Sequence, residues 1–252
     1  MRAVVLLSAG RHPLSARPAP VPVEMQAIAL ARGLGADVAG LHAGAPDLAV
    51  REALGQGMDR VTVLRIGEAD DAVAALAAAL AADPPDLVLA GNRGRGGEDS
   101  GLLPYLLAEA LGWPIAANAV ALAAAAEGLA VIQARARGAR WRLVVAPPAV
   151  VTVHPAAPPA LPFAYARARR GRIEEQEGRS APLAPRVAEE RPYRPRPRVI
   201  GVAGGGSAAE RLRAATEVAG GGRVLVDPPP EEAARELLAW LRALGFSRSA
   251  DE

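Results

Sequence analysis

Asp83 to Pro114 reads DPPDLVLAGNRGRGGEDSGLLPYLLAEALGWP, and its three parts decide the fold. Asp86-Leu87-Val88-Leu89-Ala90 is an apolar run of the length of a buried strand. Gly91 to Gly101 follows as a glycine-rich loop. Leu102, Leu103, Leu106, Leu107, Ala110 and Leu111 then recur at helical spacing up to Gly112, with Pro114 as a stop. Strand, glycine loop and helix in that order suit an anion. Glycine tolerates positive φ, so successive backbone N–H groups can converge at a helix N-terminus, where a phosphate is favoured. Gly91, Asn92, Arg93, Gly94, Arg95, Gly96, Gly97, Glu98, Asp99, Ser100 and Gly101 are therefore candidate phosphate-binding residues. Ser100 can cap the helix or donate its hydroxyl to the phosphate. Arg93 and Arg95 read either as phosphate contacts or as solvated loop charges, and Asp99 reads as ligand contact or cap. The loop lacks GxxxxGK[ST] and GxGxxG, and it does not open the first strand–helix unit, so neither signature accounts for it.

The segments before the loop alternate between strand and helix. Ala3 to Leu7 is a buried strand ending at Ser8-Ala9-Gly10, a turn at the edge where α/β sheets bind ligands. Residues 11–22, with Pro13, Pro18, Pro20 and Pro22, read as loop. A helix is expected over Glu24–Leu34, a strand over Asp37–His42, and a helix capped by Asp47 to about Gly55. Val61–Leu64 reads as a third strand, and Asp70 or Asp71 caps an alanine-rich helix ending at Ala82. This spacing predicts a parallel, doubly wound sheet. Val120–Leu122, Leu129–Arg135, Trp141–Val145 and Ala149–Val153 read as an antiparallel set near the sheet edge.

From His154 the character changes. Pro155, Pro158, Pro159 and Pro162 break regular structure, Tyr165–Gln176 is basic, and residues 177–198 are rich in proline, arginine and glutamate, which reads as an extended linker. Val199–Val202 and Arg223–Val226 suit short strands around a small helix near 207–219. A final helix opens at Pro230 or Glu231 and runs to Leu244, with Leu237, Leu238, Leu241 and Leu244 as an apolar stripe that needs a surface to cover it. The organisation expected is an α/β nucleotide-binding domain over 1–153, a loop and linker over 154–198, and a C-terminal arm over 199–252.

Composition narrows the chemistry. The chain has 252 residues, no cysteine and no lysine, with His12, His42 and His154 far apart. Thiolate chemistry, Schiff bases and P-loop lysines are excluded, and a histidine zinc site is not expected. The net charge is only +2 and aromatics make up 3% of residues, which argues against nucleic acid as a partner. No run suits a membrane span or signal peptide, so a soluble cytoplasmic protein is expected.

Six stretches in order give the chain a family likeness. Ala53-Leu54-Gly55-Gln56-Gly57-Met58-Asp59-Arg60-Val61, Asp86–Gly91, the Glu98-Asp99-Ser100 loop with Leu107–Pro114, Pro147–Val153, Leu161-Pro162 with Ala164–Glu174, and Pro230–Leu237 together resemble the beta subunit of electron-transfer flavoproteins. Asp99-Ser100 matches the second acid and the Thr of that family's nucleotide loop. Gly97 stands at the first acid, Leu102 at the Gln and Pro104 at the last Gly; the loop is one residue longer and carries Arg93 and Arg95 in addition.

The resemblance implies a three-layer α/β sandwich with a mostly parallel, Rossmann-like sheet that binds an adenine nucleotide, plus a C-terminal arm ending in a helix. It implies an electron-transfer carrier subunit rather than a catalyst, with no catalytic residues of its own. The partner alpha subunit would hold the redox FAD, and this chain would hold AMP, or a second FAD. Ser8, Ala9, Ala43 and Gly44 would flank the adenosine and the Gly91–Gly101 loop would cradle the phosphate. Leu161 would dock a flavin-dependent dehydrogenase, and the tail helix would wrap the alpha subunit. Two other readings stand beside it: a stand-alone ATP- or AMP-binding stress-protein-like module or nucleotide-dependent enzyme, and a dimeric regulatory binding module.

Overall fold

The structure is a computed structural model, and it describes residues 1–68, 70–93, 100–179, 207 and 225–243. The chain forms two compact units, Met1–Arg186 and Val187–Glu252. In the first, nine strands form one sheet: β1 Arg2–Leu6, β2 Asp37–Ala43, β3 Arg60–Arg65, β4 Leu87–Gly91, β5 Ile115–Ala125, β6 Gly128–Ala134, β7 Arg140–Val145, β8 Ala149–Val153 and β9 Arg172–Glu177. Their order across the sheet is β7-β6-β5-β8-β4-β1-β2-β3-β9. The helices are α1 Pro22–Gly33, α2 Leu48–Glu52, α3 Ala72–Ala82, α4 Leu103–Leu111 and α5 Tyr165–Arg170, with a 3-10 turn at Ala53–Gln56.

Strand alternation separates two cores. Side chains of a strand point to opposite faces in turn. Ala3, Val5, Leu7, Leu87, Leu89, Val151 and Val153 pack on one face with Met25 and Ile28 of α1 and Leu54 of the 3-10 turn. Leu6, Val88, Ala90 and Val150 pack on the other with Leu76 and Leu80 of α3 and Leu107 of α4. Helix, sheet and helix make three layers. Every residue of β4 and of β8 is buried, which is why β4 reads as an unbroken apolar run and β8 as one interrupted only by Thr152, not as alternating strands.

Local chemistry sets the helix ends. Asp47 accepts the Ala49 N–H at 2.7 Å and Asp71 accepts the Val73 N–H at 2.9 Å, each satisfying an N–H that the first turn leaves open. Of the two aspartates expected before α3, Asp71 is therefore the cap. Gly112, at φ +67°, ends α4.

Two expectations change. Ala149–Val153 does not belong to an antiparallel edge set. It lies between β4 and β5 and pairs parallel with both, because a strand that is apolar on both faces apart from Thr152 is stable only where both faces are covered. The antiparallel part is β5-β6-β7 alone. Residues 172–177 are also strand: β9 pairs parallel with β3 from Arg60↔Arg172 to Arg65↔Glu177. Its RIEEQE pattern hides this, since only Ile173 faces an apolar neighbourhood, while Arg65 meets Glu175 and Glu177 across the edge at 3.5 and 3.8 Å.

In the second unit, helix α6 spans Pro230–Ala243 with Glu231 and Glu232 in its first turn, where acids suit the helix dipole. Leu237, Leu238 and Trp240 are exposed. Leu225 and Val226 are not strand; the expected strand at 199–202, the small helix near 207–219 apart from Ser207, and Leu244 lie outside the described residues. Among the described residues no helix is long and apolar enough to cross a membrane.

Candidate functional site

The strand order turns around at β1, which pairs with β2 on one side and β4 on the other. The chain leaves these neighbours in opposite directions, so a crevice opens beyond their carboxyl ends, the place where open α/β sheets take ligands. Ser8 and Ala9 follow β1, Ala43 and Gly44 end β2, and Gly91, Asn92 and Arg93 end β4. The fold thus brings these seven expected residues to one edge. Ser100 and Gly101 return from the loop to the start of α4. Gly94, Arg95, Gly96, Gly97, Glu98 and Asp99 lie outside the described residues.

Ser100 does not occupy the cap position of α4. Leu102 does, and the Ser100 hydroxyl accepts the Leu102 N–H at 3.3 Å, one step ahead of the helix. Gly101 has φ +70°, and a Cβ there would stand 2.6 Å from the Asn92 carbonyl oxygen. The loop therefore closes on its own stem only with glycine at this point. Gly101→Ala is expected to cost about 1–3 kcal/mol, read as a shift in the urea unfolding midpoint. An unchanged midpoint would show that the loop closes otherwise.

At this edge stand two polar groups, Asn118 of β5 and Thr152 of β8, that sequence reasoning did not place there. The Asn92 N–H donates to the Val153 carbonyl at 3.0 Å, and the Asn92 amide lies 3.4 Å from Asn118 Oδ1. Asn118 has φ +58°, within a register shift of β5, and its N–H donates to Thr152 Oγ1 at 2.9 Å. Asparagine tolerates the left-handed region better than most residues. Asn118 stands out in the run IAANAVAL as the one polar side chain of an apolar strand, and that was the only available signal. Thr152, 1% exposed, is the matching polar residue of β8.

Glu24, on the first turn of α1, is 3% exposed and accepts the Ser8 N–H through Oε2 at 2.9 Å. Burial pushes its pKa up to about 8, against the opposing hydrogen bonds from Ser8. Among the described residues this edge therefore offers neutral backbone and amide donors and acceptors, the exposed Arg93, and a Glu24 carboxyl that holds its proton well above the usual carboxylate range. No group of three potential metal ligands occurs among the described residues.

Two hollows lie elsewhere in the first unit. One of about 490 Å³ is bordered by Asp47, Val50, Arg51, Val63, Ile173 and Glu175. Another, of about 640 Å³, is bordered by Asp37, Asp59, Arg60, Arg167, Arg170 and Glu174. Neither is lined by Ser8, Asn92 or Asn118. In the second, opposite charges of the wall pair with each other, Arg167 with Asp59 at 2.9 Å and Arg60 with Asp37 at 3.5 Å.

Leu161 is 38% exposed and Phe163 49%. The segment is nonetheless held in place. Ala164 N–H donates to the Gly55 carbonyl at 2.8 Å, and the Phe163 ring lies over Gly55 so closely that any Cβ there would collide with it. A rigid base thus presents two apolar side chains to solvent, a good anchor geometry for a partner.

Comparison with known proteins gives two matches. A family model described as "Electron transfer flavoprotein domain" matches residues 16–180. The electron transfer flavoprotein subunit beta of Chromohalobacter salexigens is 40% identical over 221 residues, covering 85% of this chain and 83% of that protein.

Proposed function

Because the chain belongs to the electron transfer flavoprotein beta-subunit family, we propose that it is the beta-type half of a heterodimer whose alpha subunit carries FAD. It is a carrier subunit and not a catalyst, working in the cytoplasm. It binds an adenine nucleotide, docks a flavin-dependent dehydrogenase, and helps pass that enzyme's electrons to a respiratory acceptor. The supporting observation is the convergence of Ser8, Gly44, Asn92 and Gly101 on the crevice between the carboxyl ends of β1 and β4.

In this reading Ser8, Ala9, Ala43 and Gly44 border the adenosine. The backbone of Gly91–Gly101 holds the phosphate, with Arg93 and Arg95 adding charge-assisted bonds. AMP would supply no redox chemistry, whereas a second FAD would supply a redox-active ring. The chain's own residues bind and orient the group and donate no electrons. Leu161, on its fixed base over Gly57 and beside Phe163, inserts into the dehydrogenase. The apolar stripe of α6 packs on the alpha subunit.

Co-expression with the alpha-type subunit, denaturation of the purified complex and chromatography of released nucleotides test the reading. One FAD and one AMP per heterodimer is the expected result. Two FAD would give this subunit its own flavin. FAD alone would remove the nucleotide role from the Gly91–Gly101 loop. Failure to co-purify at all would remove the heterodimer.

A further inference from the structure

The ladder between β1 and β2 ends where the Leu7 N–H donates to the Leu41 carbonyl at 2.9 Å. Beyond that bond the two chains part into the loops that border the adenosine in the reading above. Each loop is fixed on its own side. After β1, the Ser8 N–H donates to Glu24 Oε2 at 2.9 Å, the Leu7 carbonyl oxygen lies 2.8 Å from His42 Nδ1, and the Gly10 N–H donates to the Ser8 carbonyl at 2.8 Å. After β2, the Gly44 N–H donates to the Leu64 carbonyl of β3 at 2.9 Å, and Asp47 Oδ1 accepts the Ala49 N–H of α2.

An ion pair crosses the gap between them. Arg11 Nη2 donates to Asp47 Oδ2 at 2.7 Å, while Nη1 of the same guanidinium donates to the Gly10 carbonyl at 3.0 Å and to the Ala9 carbonyl at 3.3 Å. The planar fork therefore holds the loop after β1 with one nitrogen and the loop after β2 with the other. Asp47 gives one oxygen to its own helix and the other to Arg11, so a single carboxylate serves both loops. Its side chain is only 13% exposed. Burial opposes its charge, but hydrogen bonds from Arg11 and the Ala49 N–H hold its pKa below the ordinary value. Arg11 has a fixed base as well. It forms a bridge with Pro18, and the Gly10 carbonyl before it also accepts the Ala19 N–H at 3.0 Å. A Cβ at Gly10 would stand 2.5 Å from the Ala19 carbonyl oxygen, so only glycine fits that approach.

We propose that Arg11 and Asp47 are positioning residues of the nucleotide site: their ion pair sets the gap between the loops after β1 and β2, and with it the slot that receives the adenosine. The proposal rests on the nucleotide-binding reading above and gives the pair no direct contact with the ligand. A slot between two loops grips a flat base at one width only, because a gap of about 0.5–1 Å forfeits a quarter to a half of each dispersion contact. Holding that width before the ligand arrives removes an ordering cost from binding. The pair acts on the base and sugar and not on the phosphate, since the phosphate loop follows β4, which lies on the opposite side of β1 from β2.

Asp47→Asn keeps an oxygen for the Ala49 N–H and loses the charge that Arg11 meets; Arg11→Gln removes the fork. The full chain with its alpha-type subunit, depleted of nucleotide, is equilibrated with labelled AMP and separately with labelled adenosine. Wild type, both single variants and the R11Q/D47N double variant are compared. Each single variant is expected to bind AMP and adenosine about ten-fold more weakly, by the same factor for both ligands, and the double variant no more weakly than the weaker single, as for two groups that act as one. A loss for AMP that spares adenosine would make Arg11 a charge for the phosphate and overturn the proposal. Unchanged affinities or additive losses overturn it too. Urea midpoints of the variants are expected to stay near that of the wild type, because Arg11 is half exposed; affinity that falls only in step with the midpoint overturns the positioning role. If the wild type itself takes up neither AMP nor adenosine, the nucleotide reading fails and this proposal with it.

Discussion

Leu107→Ala loses about 2–5 kcal/mol of stability, read as a lower urea midpoint with an unchanged slope. Leu107 is fully buried on the sheet face shared by Leu6, Leu76, Leu80, Val88 and Val150. Truncation forfeits the transfer of its side chain from water and leaves a cavity that strand and helix backbones cannot fill. The change also bears on function, because α4 begins two residues after Gly101 and Leu107 holds that helix to the sheet. Nucleotide retention is expected to fall with stability. A loss under about 1 kcal/mol would mean that α4 is not packed as described.

Glu24→Gln stabilises the protein increasingly as pH rises. The wild-type carboxyl is raised from 4.5 to about 8 by burial. The folded chain therefore holds a proton that the unfolded chain releases. The stability this contributes is complete below about pH 4.5, is lost as pH rises, and is gone above about pH 8. Glutamine carries no such term. The difference between variant and wild type is expected to grow across that window by on the order of 3–5 kcal/mol, with little difference in acid. Urea unfolding of both proteins at several pH values measures it. A difference that stays flat with pH would place Glu24 in water and not against the Ser8 peptide.

Much of the fold was legible because its causes are local. The length of the Leu87–Ala90 run, the caps Asp47 and Asp71, and Gly112 after α4 each act within a few residues of themselves. The edge positions of Ser8, Ala43 and Gly91 followed from where strands end. β8 escaped because its neighbours in sequence are antiparallel strands, while its neighbours in space are β4 and β5. Pairing Leu87 with Ala149 joins segments far apart in the chain, and no pattern within either one announces the other. β9 escaped for a different reason. A strand with five polar residues among six offers no apolar periodicity, and it forms because β3 has a free edge and α5 is tied to the turn before it through Arg167 and Asp59.

The site divides in the same way. Glycine spacing singled out Gly91–Gly101 and the end of the first strand singled out Ser8, whereas Ala43 and Gly44 entered only through the family resemblance. Glu24 read only as part of a helix and His42 only as one of three scattered histidines. Their place on either side of one peptide depends on α1 and β2 meeting at β1, since hydrogen bonds between segments require approach within about 3 Å. Residue order therefore established the α/β alternation, the Asp47 cap and the strand ends that come to one edge of the sheet. Packing alone decided which strands are neighbours, which polar groups are buried there, and how strongly a buried carboxyl holds its proton, because register, burial and desolvation are properties of segments brought together and not of any one segment.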